Sequence, residues 1–203
     1  AKLVCGDCGG FYGSKVWHST DKYRRVIWQC NSKFKKGEKC ATSHFTEDEI
    51  KERFIQAWNG MQDITDEVIS ECRLALAELF DSAAIDDEFA AKNAEAEVLI
   101  EMNRKHIAEN ASAAQDQKAY KKRQEDLVSK YNAVVKRIDE LKAEMEKRKI
   151  QRTVLTAFID TMEQQRGSLT KFDERLWLAV VEKATVHADG RLVFTLMDGS
   201  EIE

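Results

Sequence analysis

Proline is missing from all 203 residues, where ordinary usage of about 5% would place roughly ten. Proline kinks or stops helices, so its absence leaves room for very long ones. Also missing is any run approaching the ~18 apolar residues of a membrane-spanning helix, or a secretory h-region. With 33% charged residues and a mean hydropathy of −0.52, a membrane protein is excluded. The 43% of hydrophobic residues equally excludes a disordered chain. There is no Ser/His/Asp grouping, no Gly-rich phosphate loop and no carboxylate pair at catalytic spacing. The four histidines, His18, His44, His106 and His187, are scattered. The sequence starts at Ala1 and stops at Asp198-Gly199-Ser200-Glu201-Ile202-Glu203 in what reads as a strand. It is therefore expected to be an excised fragment whose parent extends on the N-terminal side.

What is present is unevenly charged. Residues 1–45 hold nine Lys/Arg against three Asp/Glu, while residues 46–80 and 81–117 each hold three against nine. Residues 118–152 reverse the sign again, with twelve against six, and residues 153–203 hold five against nine. Adjacent helical stretches of opposite sign suit antiparallel partners. The basic N-terminal segment has no such partner and is a plausible nucleic-acid face, despite a pI of about 5.7.

Four of the five cysteines crowd into the first 40 residues, as Cys5-x2-Cys8 and Cys30-x9-Cys40. Glycines in Cys5-Gly-Asp-Cys8-Gly-Gly let the backbone curl so that amides point at the sulfurs. Four thiolates satisfy a tetrahedral zinc and close its shell, so one structural Zn2+ is expected, held by Cys5, Cys8, Cys30 and Cys40. Three other readings stay open on spacing alone: a disulfide pair, a redox CxxC, and a site in which His18 or His44 replaces one thiol. A segment of about 45 residues has little core, so metal binding is expected to supply its folding energy.

Between the cysteine pairs, Phe11–His18 and Tyr23–Gln29 read as strands flanking the turn Ser19–Lys22, a zinc β-ribbon. Lys15, His18, Lys22, Arg24 and Arg25 fall on or near its tip, and Lys33, Lys35, Lys36 and Lys39 fill the loop before Cys40. Interleaved with Trp17, Tyr23 and Trp28, these cations could grip phosphate and reach base edges. The alternative is a solvated basic loop with the aromatics as core.

Thr46-Glu47-Asp48-Glu49 is a capping box opening an apolar stripe that runs from Ile50 to Leu79, with Gly60 as its soft point and Cys72 on its core side. After a break at Ser82–Asp87, a second helix is expected from about Asp87 to Asn110, with a seam of Phe89, Ala96, Ile100, Asn103, Ile107 and Asn110. Asn103 on that seam reads as a register device. The direction reverses in Ala111–Asp116. Then Tyr120, Leu127, Tyr131, Val134, Ile138, Leu141, Met145, Leu155, Ile159 and Met162 hold one a/d register, lapsing at Gln124, Arg148 and Arg152. A helix over 117–166 would be about 75 Å long, at ~1.5 Å per residue. No compact core of this size encloses that, so residues 87–144 are expected to project as an antiparallel coiled-coil hairpin, and residues 46–86 and 145–203 to form a helical body. Gly167 ends the long helix. A further helix is expected over Phe172–Ala184, then a β-meander turned by Asp189-Gly190 and Asp198-Gly199. The fold class is α+β, with residues 1–45 as the ribbon.

The order of these parts resembles the C-terminal half of the large serine recombinases, the phage-integrase and mobile-element group. LVCGDCGG, DQKAYKKRQEDLVSKY and FDERLW…DGSEIE carry the resemblance, which covers essentially the whole chain. It implies a zinc-ribbon DNA-binding domain with an inserted coiled coil, in a cytoplasmic protein encoded by a bacterium or phage. The implied partners are a double-stranded attachment site, other recombinase subunits through the coiled-coil tip, and in some members a directionality factor. The catalytic serine of that family lies in an N-terminal domain with no counterpart here, so this fragment is expected to have no catalytic residue and to cut nothing. The competing reading is a protein–protein module in which zinc merely folds the ribbon and the coiled coil does the binding.

Overall fold

The computed structural model describes residues 2–33, 40–112 and 116–203. They form two compact units: Ala1–Leu76 together with Val154–Glu203, and Ala77–Thr153.

In the first unit, strands β2 (Tyr12–Trp17) and β3 (Arg25–Cys30) pair antiparallel, and the two-residue strand β4 (Phe45–Thr46) adds to β3. Thr46 then caps helix α1 (Glu47–Gly60) as the sequence predicts. Its hydroxyl accepts from the Glu49 N–H at 3.2 Å, and the Glu49 carboxylate accepts from the Thr46 N–H at 2.7 Å. These bonds and the Thr46 hydroxyl hold the Glu49 carboxyl below its ordinary range. The soft point at Gly60 is a real break: α1 ends there, a 3-10 turn covers Gln62–Ile64, and α2 (Thr65–Phe80) follows.

A second sheet closes the unit. Its order is β1 (Leu3–Cys5), β5 (Val181–Val186), β6 (Leu192–Leu196), β7 (Glu201–Ile202). The meander β5–β6–β7 is antiparallel, but β1 joins β5 in parallel. The helix expected over Phe172–Ala184 is only α5 (Glu174–Val180), capped by the Asp173 carboxylate. Val181 to Ala184 are strand instead. Their β-branched neighbours Thr185 and Val186 suit a sheet, and β1 and β6 offer a ladder on both sides. Phe54, fully buried, sits at the centre of an aromatic cluster, with ring centroids of Trp177, Phe194, Phe172 and Trp58 at 5.0, 5.7, 5.9 and 6.2 Å. The loop after Gly167 is tied to the end of α1 by Asn59, which donates to the Leu169 carbonyl at 3.0 Å and accepts from its N–H at 2.7 Å.

The second unit is built on α3 (Ala83–Ser112) and part of α4 (Gln117–Gln164). With 48 residues, α4 is the long proline-free helix, about 72 Å at ~1.5 Å per residue. Helix α3 begins four residues before the expected start. The turn expected at Ala111–Asp116 includes residues 113–115, which lie outside those described. Leu127, Val134, Ile138 and Leu141 of the predicted seam are buried, and Tyr120 and Tyr131 are half-buried. On α3 the expectation needs correcting. Ile100 and Ile107 are 39% and 48% exposed, whereas Leu99 and His106 are buried. Both sets keep heptad spacing through Ala96, Asn103 and Asn110, so apolarity alone chose the wrong one. What decides is the opposite helix. Leu99 joins Leu127, Val134 and Ile138 in one apolar cluster, and the His106 ring stacks on Tyr120 at 4.4 Å. Glu88 and Arg137 clamp the two helices with paired bonds of 2.7 and 2.8 Å, and Arg137 holds the Glu88 carboxyl below its usual range.

Candidate metal centre and basic hairpin

Each cysteine of the N-terminal set arrives on a different piece of backbone. Cys5 ends β1, Cys8 follows on the tight turn, Cys30 ends β3, and Cys40 leads toward β4. The turn is closed by the Gly9 N–H to the Cys5 carbonyl at 2.9 Å and the Cys5 N–H to the Gly10 carbonyl at 2.8 Å. Gly9 takes a φ of +67°, which a side chain would strain. A Cβ on Gly10 would lie 3.3 Å from the Cys8 sulfur, so the second glycine lets the chain pass close to the site. The four Sγ atoms lie within 4.8 Å of one another. Cys5 and Cys40 approach to 3.2 Å, Cys8 and Cys30 to 3.4 Å, and all four are free thiols. No disulfide joins them, which removes that reading. His18 and His44 are outside the cluster, which removes the mixed ligand set.

The surroundings prepare these sulfurs for a cation. Burial opposes a charged Cys5, but hydrogen bonds from the Thr42 side chain, the Cys8 and Asp7 backbone and the Cys40 thiol outweigh it. They bring Cys5 down to about 6. Burial pushes Cys30 up to about 12, against a bond from the Ser32 N–H, with the other three sulfurs adding to the rise. Four thiolates this close repel one another, so full ionisation requires a dication among them. Thr42, fully buried, has its hydroxyl 3.0 Å from the Cys40 sulfur and 3.4 Å from that of Cys5. It is an outer-shell group that spacing did not disclose; a polar residue two positions beyond a ligand was the only signal. Tyr12, also buried, donates to the Ser43 carbonyl at 2.7 Å, and burial raises its hydroxyl to about 12. The donor set fits one structural Zn2+, a closed four-thiolate shell with no open position for substrate.

The hairpin rises directly from this centre. Its register sets Lys15 opposite Ile27 and Trp17 opposite Arg25, so Lys15, Trp17 and Arg25 share one face. The Arg25 guanidinium lies over the Trp17 ring at 5.4 Å, and His44 packs against that ring at 4.9 Å. His44 is thus a neighbour of the basic face and not a ligand. At the tip His18 takes a φ of +55°. The Asp21 carboxylate fixes the turn, 3.1 Å from His18 Nδ1 and accepting from the Tyr23 N–H at 2.7 Å. Lys15, His18, Lys22, Arg24 and Arg25 are all exposed. Lys33 differs. It is half-buried and donates to the Thr42 carbonyl at 3.1 Å, which ties the loop to the metal site and withdraws it from the exposed set. Lys35 and Lys36 lie outside the described residues, as does Lys39.

The one thiol outside this cluster, Cys72, is buried 3.7 Å from the Asp198 carboxylate, and burial with that charge raises it to about 12. That makes it an inert core group. No helix among the described residues is long and apolar enough to cross a membrane.

Ribbon topology and a closed thiolate set define a structural zinc ribbon. Residues 1–59 match the family described as "Recombinase zinc beta ribbon domain". The resemblance to recombinases drawn from the sequence therefore holds over this segment, which contains all four clustered cysteines. A solved structure described as "Crystal Structure of a LSR-DNA Complex" is similar at 15% identity and a TM-score of 0.29. The similarity covers 96% of this chain and 53% of that one, so the chain spans about half the length of that relative. No curated protein matches the chain.

Proposed function

We propose that the chain is a DNA-binding and synapsis-control part of a large serine site-specific recombinase that acts in DNA integration. The observation carrying this reading is the pair of exposed cations Lys15 and Arg25 flanking the half-buried Trp17 toward the tip of a hairpin anchored at the thiolate centre. A two-stranded β-ribbon fits the major groove of B-DNA, about 12 Å wide. Cations along such a ribbon meet phosphates, and an arginine held over an aromatic ring can reach a base edge. Lys15, His18, Lys22, Arg24 and Arg25 are the proposed contacts. The partner is the double-stranded attachment site, and the metal centre serves binding by holding the hairpin rather than reacting, because its shell is closed and offers no reacting position. The helical hairpin is the proposed meeting point with other recombinase subunits and with a directionality factor.

A second reading is favoured by one observation. Ile100, Ile107 and Val128 leave apolar surface exposed on the helical hairpin, as a protein–protein module would. Duplex from the DNA flanking the parent gene, which contains the attachment site, separates the two. The zinc-loaded chain is expected to prefer it over a scrambled duplex of equal length by about 10^3-fold or more. Equal affinity for both duplexes would favour the protein–protein module.

A further inference from the structure

The tip of the β2–β3 hairpin is organised by one carboxylate. Asp21 is the only acidic residue in residues 9–33, where it stands among Lys15, Lys22, Arg24, Arg25 and Lys33. An acid there repels the phosphates that its neighbours attract. What it holds explains its place. Asp21 Oδ1 accepts from the Tyr23 N–H at 2.7 Å, and Oδ2 lies 3.1 Å from His18 Nδ1. The Asp21 N–H donates to the His18 carbonyl, and its own carbonyl accepts from the Arg24 N–H, both at 3.2 Å. These contacts gather His18, Tyr23 and Arg24 around one residue and fix a turn in which His18 takes a φ of +55°.

The side chain this turn presents is Tyr23. At 65% it is the most exposed large hydrophobic side chain among the described ribbon residues, ahead of Phe11 at 58% and Val16 at 47%. An exposed apolar side chain is by itself ordinary. Tyr23 differs because its ring is also held. Lys22 Nζ lies 5.2 Å over it, and the His18 ring meets it edge-on at 6.4 Å. An aromatic ring kept in water and kept still has already lost the freedom that binding would take from it. The surface it suits is small, apolar and bordered by phosphates, since Lys22 and Arg24 flank it in sequence. In the major groove that surface is the C5-methyl group of thymine, which apolar side chains recognise by contact.

We infer that Tyr23 packs on a thymine methyl group of the bound duplex and so sets part of its sequence preference, with Asp21 as the residue that positions it. The inference rests on the DNA-binding reading and adds an apolar reader to the polar contacts proposed above. Cations that meet phosphates favour any duplex equally; the methyl group is what changes from one sequence to the next. Asp21 weakens the attraction to every duplex and holds the ring that tells one from another.

Replacing the thymines of the flanking duplex one at a time by deoxyuridine removes the methyl group and nothing else. The zinc-loaded chain is expected to lose affinity about three- to tenfold at one or two of these positions. Tyr23→Ala should bind the thymine and deoxyuridine duplexes alike, with zinc content unchanged, and Tyr23→Phe should respond as the unsubstituted chain does. Asp21 is tested by the pattern of its variants. On charge alone, Asp21→Ala and Asp21→Asn would both bind every duplex more tightly and leave the preference over scrambled duplex intact. As a positioning residue, Asp21→Ala should lower that preference about three- to tenfold and lose the response to deoxyuridine. Asp21→Asn keeps a carbonyl acceptor for the Tyr23 N–H and should keep both. Equal behaviour of the Ala and Asn variants would overturn the role given to Asp21. An unsubstituted chain that prefers the flanking duplex but ignores every deoxyuridine would overturn the methyl contact, as would a Tyr23→Ala chain that still responds. No preference in the unsubstituted chain would remove the DNA-binding reading and this inference with it.

Discussion

Stripping zinc with an excess of chelator is expected to unfold the ribbon while leaving most of the helix intact. Ribbon side chains reaching full burial are few, chiefly Tyr12, Ile27 and Phe45, at 1%, 0% and 5% exposure. So small a core does not offset the entropy of ordering the strands and the cysteine loops. Structural zinc sites contribute on the order of 10 kcal/mol to folding, which is more than the whole stability of many domains. Loss of the metal should therefore abolish amide protection in β2 and β3. Because Cys5 closes β1 and β1 pairs with β5, the edge of the four-stranded sheet should loosen as well. The helical far-ultraviolet signal should fall little, since α3 and α4 pack on their own seam. One zinc per chain by elemental analysis, and its loss in a Cys30→Ser variant, complete the expectation. Retained protection over Arg25–Cys30 after the metal is gone would show that the ribbon folds without it.

Substituting Arg24 and Arg25 by alanine is expected to produce the largest loss of DNA affinity available without disturbing the fold. Both guanidiniums are exposed, and neither belongs to the metal site. Arg25 rests on Trp17, whose packing against His44 survives the change. Removing a phosphate contact should lower the slope of log affinity against log salt by about 0.9. Removing a base contact costs about 1–3 kcal/mol and relaxes sequence preference. The pair should therefore weaken binding about 10- to 1,000-fold at moderate salt, with zinc content unchanged. Fluorescence anisotropy over a salt series separates the two roles. A change in slope without loss of preference marks a phosphate contact; the reverse marks base reading. Unchanged affinity at all salt concentrations would remove this hairpin as the DNA face.

Local chemistry was legible in the sequence and distant pairing was not. The four ligands could be named because a tetrahedral metal demands a fixed number of thiolates, and the helix start at Thr46 because a capping box is complete within four residues. The strand role of Val181–Ala184 was hidden, since it depends on pairing with β6 across the turn and, at Ala184, with β1, nearly the whole chain away in sequence. The α3 seam was misread at Ile100 and Ile107 because two heptad sets overlap, and only the aromatic face of Tyr120 selects His106. Thr42 and Lys33 escaped for a related reason. Their roles come from a backbone that folds around the metal, where a hydroxyl and an ammonium find sulfur and carbonyl neighbours. Proline-free sequence did forecast a helix the length of α4.

Amide protection of the zinc-loaded chain by duplex from the flanking DNA tests the central claim most directly. Protection concentrated in Tyr12–Trp17 and Arg25–Cys30, absent with scrambled duplex and lost with the metal, is the predicted result. Protection confined to 87–144, or none on either duplex, would contradict it.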